Sequence, residues 1–475
     1  MDAVTRVPEH AAEPVRDYAP GSPERAALER RLDELAAERP PLPMVIGGER
    51  RFGGGERLEV VQPHHHAARL GEYGNATRED AGLAVDAALA AGAQWRATAY
   101  DDRAAVLLRA AELLAGPWRE TVVAAAVLGE SRSARQAELA VCGLVDGWRR
   151  AVREAKELLA EQPASAPGEW RRADHRPLDG FVYVAAPASP EAVTAPVLLG
   201  NTVVWRPRPA GLLAAHHLMR LLEAAGLPPG VVNLVTGDGQ QLAPALLADP
   251  ALAGVYSGEG HHPGGRARAV AEPAGRGFLV AHRSADPAVL RSVLIRGAFG
   301  EQSLGRAYLP RGLWQQVKDG LAAEVDALPV GDVTDLTNFM GALPDRQAYR
   351  RTTAALERAV EIAAGGQYDE AIGWFVRPTV LVGADDAPGP VLAVQVYEDW
   401  AEQLGRVAAA PCGSVLAREG QAITGAVERL RYAAARLQVN GLPARPGAEL
   451  RPWIDTRTVA ETLLPSTGHT YPHMR

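Results

Sequence analysis

At 475 residues and 47% hydrophobic content, the chain is too long for one simple core and too apolar for global disorder. A formal net charge of −7 and a pI near 6.0 argue against a nucleic-acid groove or an anionic membrane as partner. The two cysteines, Cys142 and Cys412, sit in unrelated contexts, which excludes a disulfide framework or a cysteine zinc site and favours a reducing, cytoplasmic setting.

The first residues carry acids and a proline where a signal peptide needs an apolar run, and no apolar stretch approaches a membrane span. Apolar residues at three- and four-residue spacing predict helices over 23–38, 77–95, 102–125 and 133–161, so the first third reads as helical. From Gly180 the pattern changes. Short apolar runs at Phe181–Val184, Thr202–Trp205 and Val231–Val235 alternate with a helix from Leu212 to Ala225, as in βαβ units around a parallel sheet. A second series begins near Phe278. Its strands are expected at 278–281, 307–309, 374–381, 391–396 and 415–417, between helices near 287–298, 311–326, 345–364 and 420–434. Two such series predict two α/β lobes.

Several strings are specific. YAPGSPER (Tyr18 to Arg25), RQAELAVCGLVDGWRR (Arg135 to Arg150), RPLDGFVYVAAP (Arg176 to Pro187), GLPPGVVNLVTGDG (Gly226 to Gly239), VGDVTDLTNFMGA (Val330 to Ala342) and TYPHM (Thr470 to Met474) resemble 1-pyrroline-5-carboxylate dehydrogenases of the aldehyde dehydrogenase superfamily. The resemblance implies an α/β aldehyde-dehydrogenase fold: a Rossmann-like lobe (1–162 and 181–283), a catalytic-type α/β lobe (284–450) and a β-flap for oligomerisation (163–180 and 451–475).

Aldehyde oxidation in such a family needs a thiolate nucleophile, oxyanion donors, a nicotinamide beside the adduct and a base for deacylation. The anchors of the nucleophile loop stand at Arg296-Gly297-Ala298-Phe299 and Arg306-Ala307-Tyr308. Only Gly300 to Gly305 lies between them, with no cysteine. Ser303 has no adjacent base in sequence and reads as a turn serine. The family's oxyanion asparagine is absent from Pro187–Glu191, and Asn201 belongs to a later match. Glu272 occupies the general-base position by resemblance, as a remnant that also reads as a solvated loop carboxylate.

Cofactor remnants by resemblance are Arg206, near the adenosine ribose, and Ser257-Gly258, at the phosphate turn. Glu259 then places a negative charge where amides receive phosphate. The acid that holds the nicotinamide ribose is missing before Gly389-Pro390-Val391, and Gly441–Gly447 lacks the substrate-anchor motif. No cofactor is therefore expected, although NAD serves the family. His64-His65-His66 and His261-His262 are runs, not spaced constellations, so no metal is expected.

Three functions follow. The first is a catalytically degenerate member acting as a structural or regulatory subunit, as a homodimer or a hetero-oligomer with an aldehyde-dehydrogenase-fold relative. The second is a repurposed enzyme with a small molecule in the inter-lobe cleft and no redox step. The third is the NAD-dependent glutamate-semialdehyde oxidation that similarity alone implies.

Overall fold

A computed structural model describes residues 6–185, 190–237, 239–258, 266–271, 275–444, 447–463 and 473. Helices Pro23–Glu38, Arg78–Ala97, Tyr100–Ala115, Arg119–Glu130 and Ala134–Leu159 build the first third. Capping boxes start two of them: Thr77 with Asp80, and Ser133 with Gln136. The stretch expected as one helix over 102–125 divides at Gly116-Pro117, where proline interrupts the backbone ladder. The purely helical reading of this third was incomplete. Strands Met44–Ile46, Glu49–Arg51, Arg57–Gln62 and His65–Gly74 lie between the first two helices. Met44–Ile46 is apolar and buried but only three residues long, and the charged, exposed residues of Glu49–Arg51 and the mixed sequences of the other two strands hide the apolar run by which buried strands are recognised.

The first seven-stranded sheet has the spatial order Arg268–Ala271, Leu252–Ser257, Phe181–Ala185, Thr202–Arg206, Val232–Leu234, Met44–Ile46 and Glu49–Arg51. Its first five strands are parallel, and the last two add as antiparallel edge strands. Every residue of Phe181–Ala185 and Thr202–Arg206 is buried, as covering both faces of a parallel sheet demands. The strand order reverses between Phe181–Ala185 and Leu252–Ser257. Ligand crevices in open α/β sheets form at the carboxyl ends of strands at such a switch point.

The second seven-stranded sheet runs Glu361–Ala364, Thr379–Val382, Val391–Tyr397, Leu304–Pro310, Gly277–Ala281, Ala410–Leu416 and Ala434–Val439. Only the Glu361–Ala364 edge is antiparallel. Gly277–Ala281 pairs within this sheet, although it precedes the 283/284 division drawn from the sequence. The expected helix over 345–364 is the shorter Arg346–Leu356 followed by the Glu361–Ala364 strand. Strands Glu169–Pro177 and Ile454–Thr462 pair antiparallel with each other over their full length, as a separate two-stranded flap.

The N-terminal segment before Pro23 is fixed by charge. Glu138, fully buried, binds Arg119 and accepts the Tyr18 hydroxyl at 2.8 Å, while Arg119 Nη1 reaches Glu13 at 2.6 Å. Arg149 joins through Glu13 at 2.9 Å and Glu112 at 2.8 Å.

Candidate functional site

The carboxyl edge of the first sheet brings two of the expected cofactor residues together. Ala185 pairs with Arg206 on one side and Ser257 on the other, so both end at the same level of the switch point, and Gly258 follows directly. Glu272 and Glu259 lie outside the described residues, as do 186–189, which cover most of the oxyanion segment.

Arg206 is not presented to a dinucleotide. Arg206 is 2% exposed and donates its Nε to the Tyr183 hydroxyl at 3.0 Å. It also lies under Gly239, where an added Cβ would stand 2.6 Å from the guanidinium carbon. The arginine is committed to the sheet edge. The segment after Gly258 that would meet a pyrophosphate, 259–265, lies outside the described residues.

In the nucleophile loop, a π-turn over Arg296–Gly300 leads through three residues into strand Leu304–Pro310. Gln136 donates its side-chain amide to the carbonyls of Phe299 at 3.2 Å and Gly300 at 2.8 Å, tying the turn to helix Ala134–Leu159. Glu301 pairs with Arg296 at 3.1 Å, and Gln302 takes a positive φ of 52°. Ser303 accepts the Gly277 amide on its carbonyl at 2.7 Å; its hydroxyl oxygen is buried without a hydrogen-bond partner. No base is bonded to that oxygen to activate it.

Neither cysteine lies in that loop. Cys142 lies between Arg119, 3.2 Å from its sulfur, and Glu138, and burial beside that carboxylate pushes its thiol up to about 12. At neutral pH it is a protonated thiol, which is a poor nucleophile. Cys412 is fully buried in strand Ala410–Leu416, its sulfur packed against Gly277. Asn201 is structural: its side chain accepts the Leu178 amide at 2.9 Å and donates to the carbonyls of Pro196 and Trp453.

Of the first histidine run, His64 is 2% exposed, its Nδ1 3.1 Å from the Ser131 hydroxyl and its Nε2 3.4 Å from Asp332. Burial holds its ring below the ordinary histidine range. Among the described residues no three His, Cys, Asp or Glu side chains converge as a metal site, and His261-His262 falls outside them.

Sequence reasoning missed a surface cavity of about 630 Å³ between helix Arg346–Leu356 and the segment before Gly389. Arg346, Gln347, Arg350, Arg351, Arg358 and Asp386 give it polar groups, over a floor of Ala354, Ala355 and Pro388. Asp345 caps the helix, accepting the Ala348 amide at 2.7 Å, and Tyr349, Thr352, Thr353 and Leu356 bury the opposite face. Gly389, at φ +75°, comes so close that an added Cβ would sit 2.6 Å from the Thr352 hydroxyl; this approach holds Asp386 and Pro388 against the arginines. The readable signal was an eleven-residue helix with three arginines and no acid.

Comparison with known proteins gives a consistent picture. The aldehyde dehydrogenase family model matches residues 52–443. The mitochondrial delta-1-pyrroline-5-carboxylate dehydrogenase of Bos taurus is 32% identical, over 98% of this chain and 94% of that protein. The corresponding protein of Emericella nidulans is 32% identical over 92% of this chain and 85% of its own length. Among solved structures, the delta-pyrroline-5-carboxylate dehydrogenase of Mycobacterium tuberculosis bound with NAD superposes with a TM-score of 0.92 at 46% identity, each chain covered in full. The expected fold is thereby established.

Proposed function

The chain belongs to the aldehyde dehydrogenase family, and we propose that it is a 1-pyrroline-5-carboxylate-dehydrogenase-like member that does not oxidise aldehydes through a thioester. One observation carries the reading: the shortened 301–303 loop holds no thiol, and its only hydroxyl, Ser303, has no base bonded to it, while Cys142 and Cys412 are both buried in other elements. A hydroxyl so placed is a weak nucleophile, and hydride transfer has no adduct from which to start. In this reading the scaffold serves as a structural or regulatory subunit, as a homo-oligomer or with a related chain. The flap supports this, since Trp170 is 54% exposed on a strand whose only partner among the described residues is Ile454–Thr462. A cytoplasmic setting is part of the proposal, supported by a sequence with only two cysteines, in unrelated contexts.

A second reading is NAD-dependent oxidation of 1-pyrroline-5-carboxylate. The names of the relatives and the full-length likeness to an NAD-bound dehydrogenase support it more directly than they support a non-oxidising subunit. The two readings separate in one assay. Purified chain with 1-pyrroline-5-carboxylate and NAD is expected to form no NADH above the protein-free rate. Sustained turnover would establish the dehydrogenase and refute the first reading. Native mass spectrometry of the same preparation reads the assembly, and a strict monomer counts against a subunit role.

A further inference from the structure

We infer that the cavity between helix Arg346–Leu356 and the Asp386–Pro388 segment binds an organic phosphate of nucleotide size, whether or not the chain oxidises aldehydes. Arg346 faces Glu370 at 3.6 Å, but the guanidinium groups of Arg350, Arg351 and Arg358 have no partner among the described residues. Most arginines elsewhere on the surface have one, as in the pairs Arg291–Glu324 and Arg457–Asp174. The only carboxylate in the lining, Asp386, accepts its neighbour's amide, from Ala387 at 2.9 Å.

Such a row is unfavourable unless something neutralises it. Arg346 and Arg350 stand four residues apart on one helix, where like charges repel, and both lie in its first half, where the backbone dipole is also positive. A chain of net charge −7 concentrates positive charge here, which is the complement of a multiply charged anion. Guanidinium forks match phosphate oxygens two at a time. The volume of about 630 Å³ lies within the range of small-molecule sites. The floor of Ala354, Ala355 and Pro388 offers apolar contact for a base, and a neighbouring arginine can stack on it.

The test is isothermal titration of the full chain with ATP and, separately, with inorganic pyrophosphate, at low and at moderate salt. Both are expected to bind, ATP more tightly because its base reaches the floor, and both more weakly as salt rises. The variant Arg350→Ala/Arg351→Ala/Arg358→Ala should weaken ATP at least about tenfold, whereas the matching triple lysine variant should lose less. Circular dichroism checks the fold, and the lysine variant keeps the test valid if the alanine variant does not fold. Binding of pyrophosphate as tight as that of ATP would keep the phosphate site and overturn the place assigned to the base. No heat from either ligand at millimolar concentration would overturn the proposal, as would undiminished binding by the alanine variant. So would binding of a polyglutamate peptide without binding of either phosphate.

Discussion

Two arginine-bearing regions of this molecule are built on opposite terms. Around Glu138, the side chain of Arg119 is 3% exposed, and that of Arg149 is 11% exposed; both meet carboxylates contributed by Glu13, Glu112 and Glu138. Along helix Arg346–Leu356, Arg350 and Arg351 are exposed and meet none among the described residues. The same side chain is a fastener in the first place and an open binding group in the second. What separates them is whether the carboxylates needed to complete the charge come from the chain itself.

That contrast predicts unequal costs. Arg119→Met should destabilise the protein by about 3–5 kcal/mol, because it leaves Glu138 charged and buried without its main partner. Pairing it with Glu138→Leu should recover much of the loss, since removing both charges avoids the uncompensated one. Urea midpoints of the single and double variants read this directly, and additive losses would show that the cluster is not held by its charges.

A smaller effect concerns pH. His217, on helix Leu212–Ala224, is 2% exposed with neither ring nitrogen hydrogen-bonded, and burial together with the nearby His216 and arginines pushes it down to about 3. The unfolded chain takes up this proton near pH 6.5 and the folded chain does not, so its share of stability is present above that pH. It falls away as the pH drops toward 3. Between pH 7.5 and 5 the loss should be about 2 kcal/mol, and His217→Leu should remove most of that difference in urea midpoints. An unchanged pH dependence in the variant would place the titration elsewhere.

The smallest effect belongs to the open row. Replacing Arg350, Arg351 and Arg358 with alanine should change stability by no more than about 0.5 kcal/mol, and toward greater stability, because only repulsion is removed. A large fall in melting temperature would mean that these groups are fasteners after all.

The sequence disclosed these regions unevenly. Parallel core strands such as Phe181–Ala185 are continuous apolar runs, and helices such as Pro23–Glu38 carry a clear period and a serine cap, so both were legible. The hairpins before Gly74 were not, because polar exposed residues such as Glu49, Arg50 and Arg51 obscure their strand character. At the candidate site, the absence of a cysteine between Arg296 and Tyr308 could be read from the residues alone. That Arg206 turns inward to Tyr183 could not, since a single long side chain reaches either a ligand or its own sheet. The arginine row was visible as charge, but only the approach of Gly389 to Thr352, between segments remote in sequence, makes it a cavity.

The flap also has a consequence in time. Pro177 pairs with Ile454, so its strand leaves the ribosome 277 positions before its mate. At ordinary elongation rates of about 5–20 residues per second, the wait lasts on the order of half a minute. During it, Glu169–Pro177 exposes two unpaired edges to every other nascent chain nearby. Arg171, Arg172 and Arg176 lie along that strand, and charge of this kind guards a lone edge against the wrong neighbour.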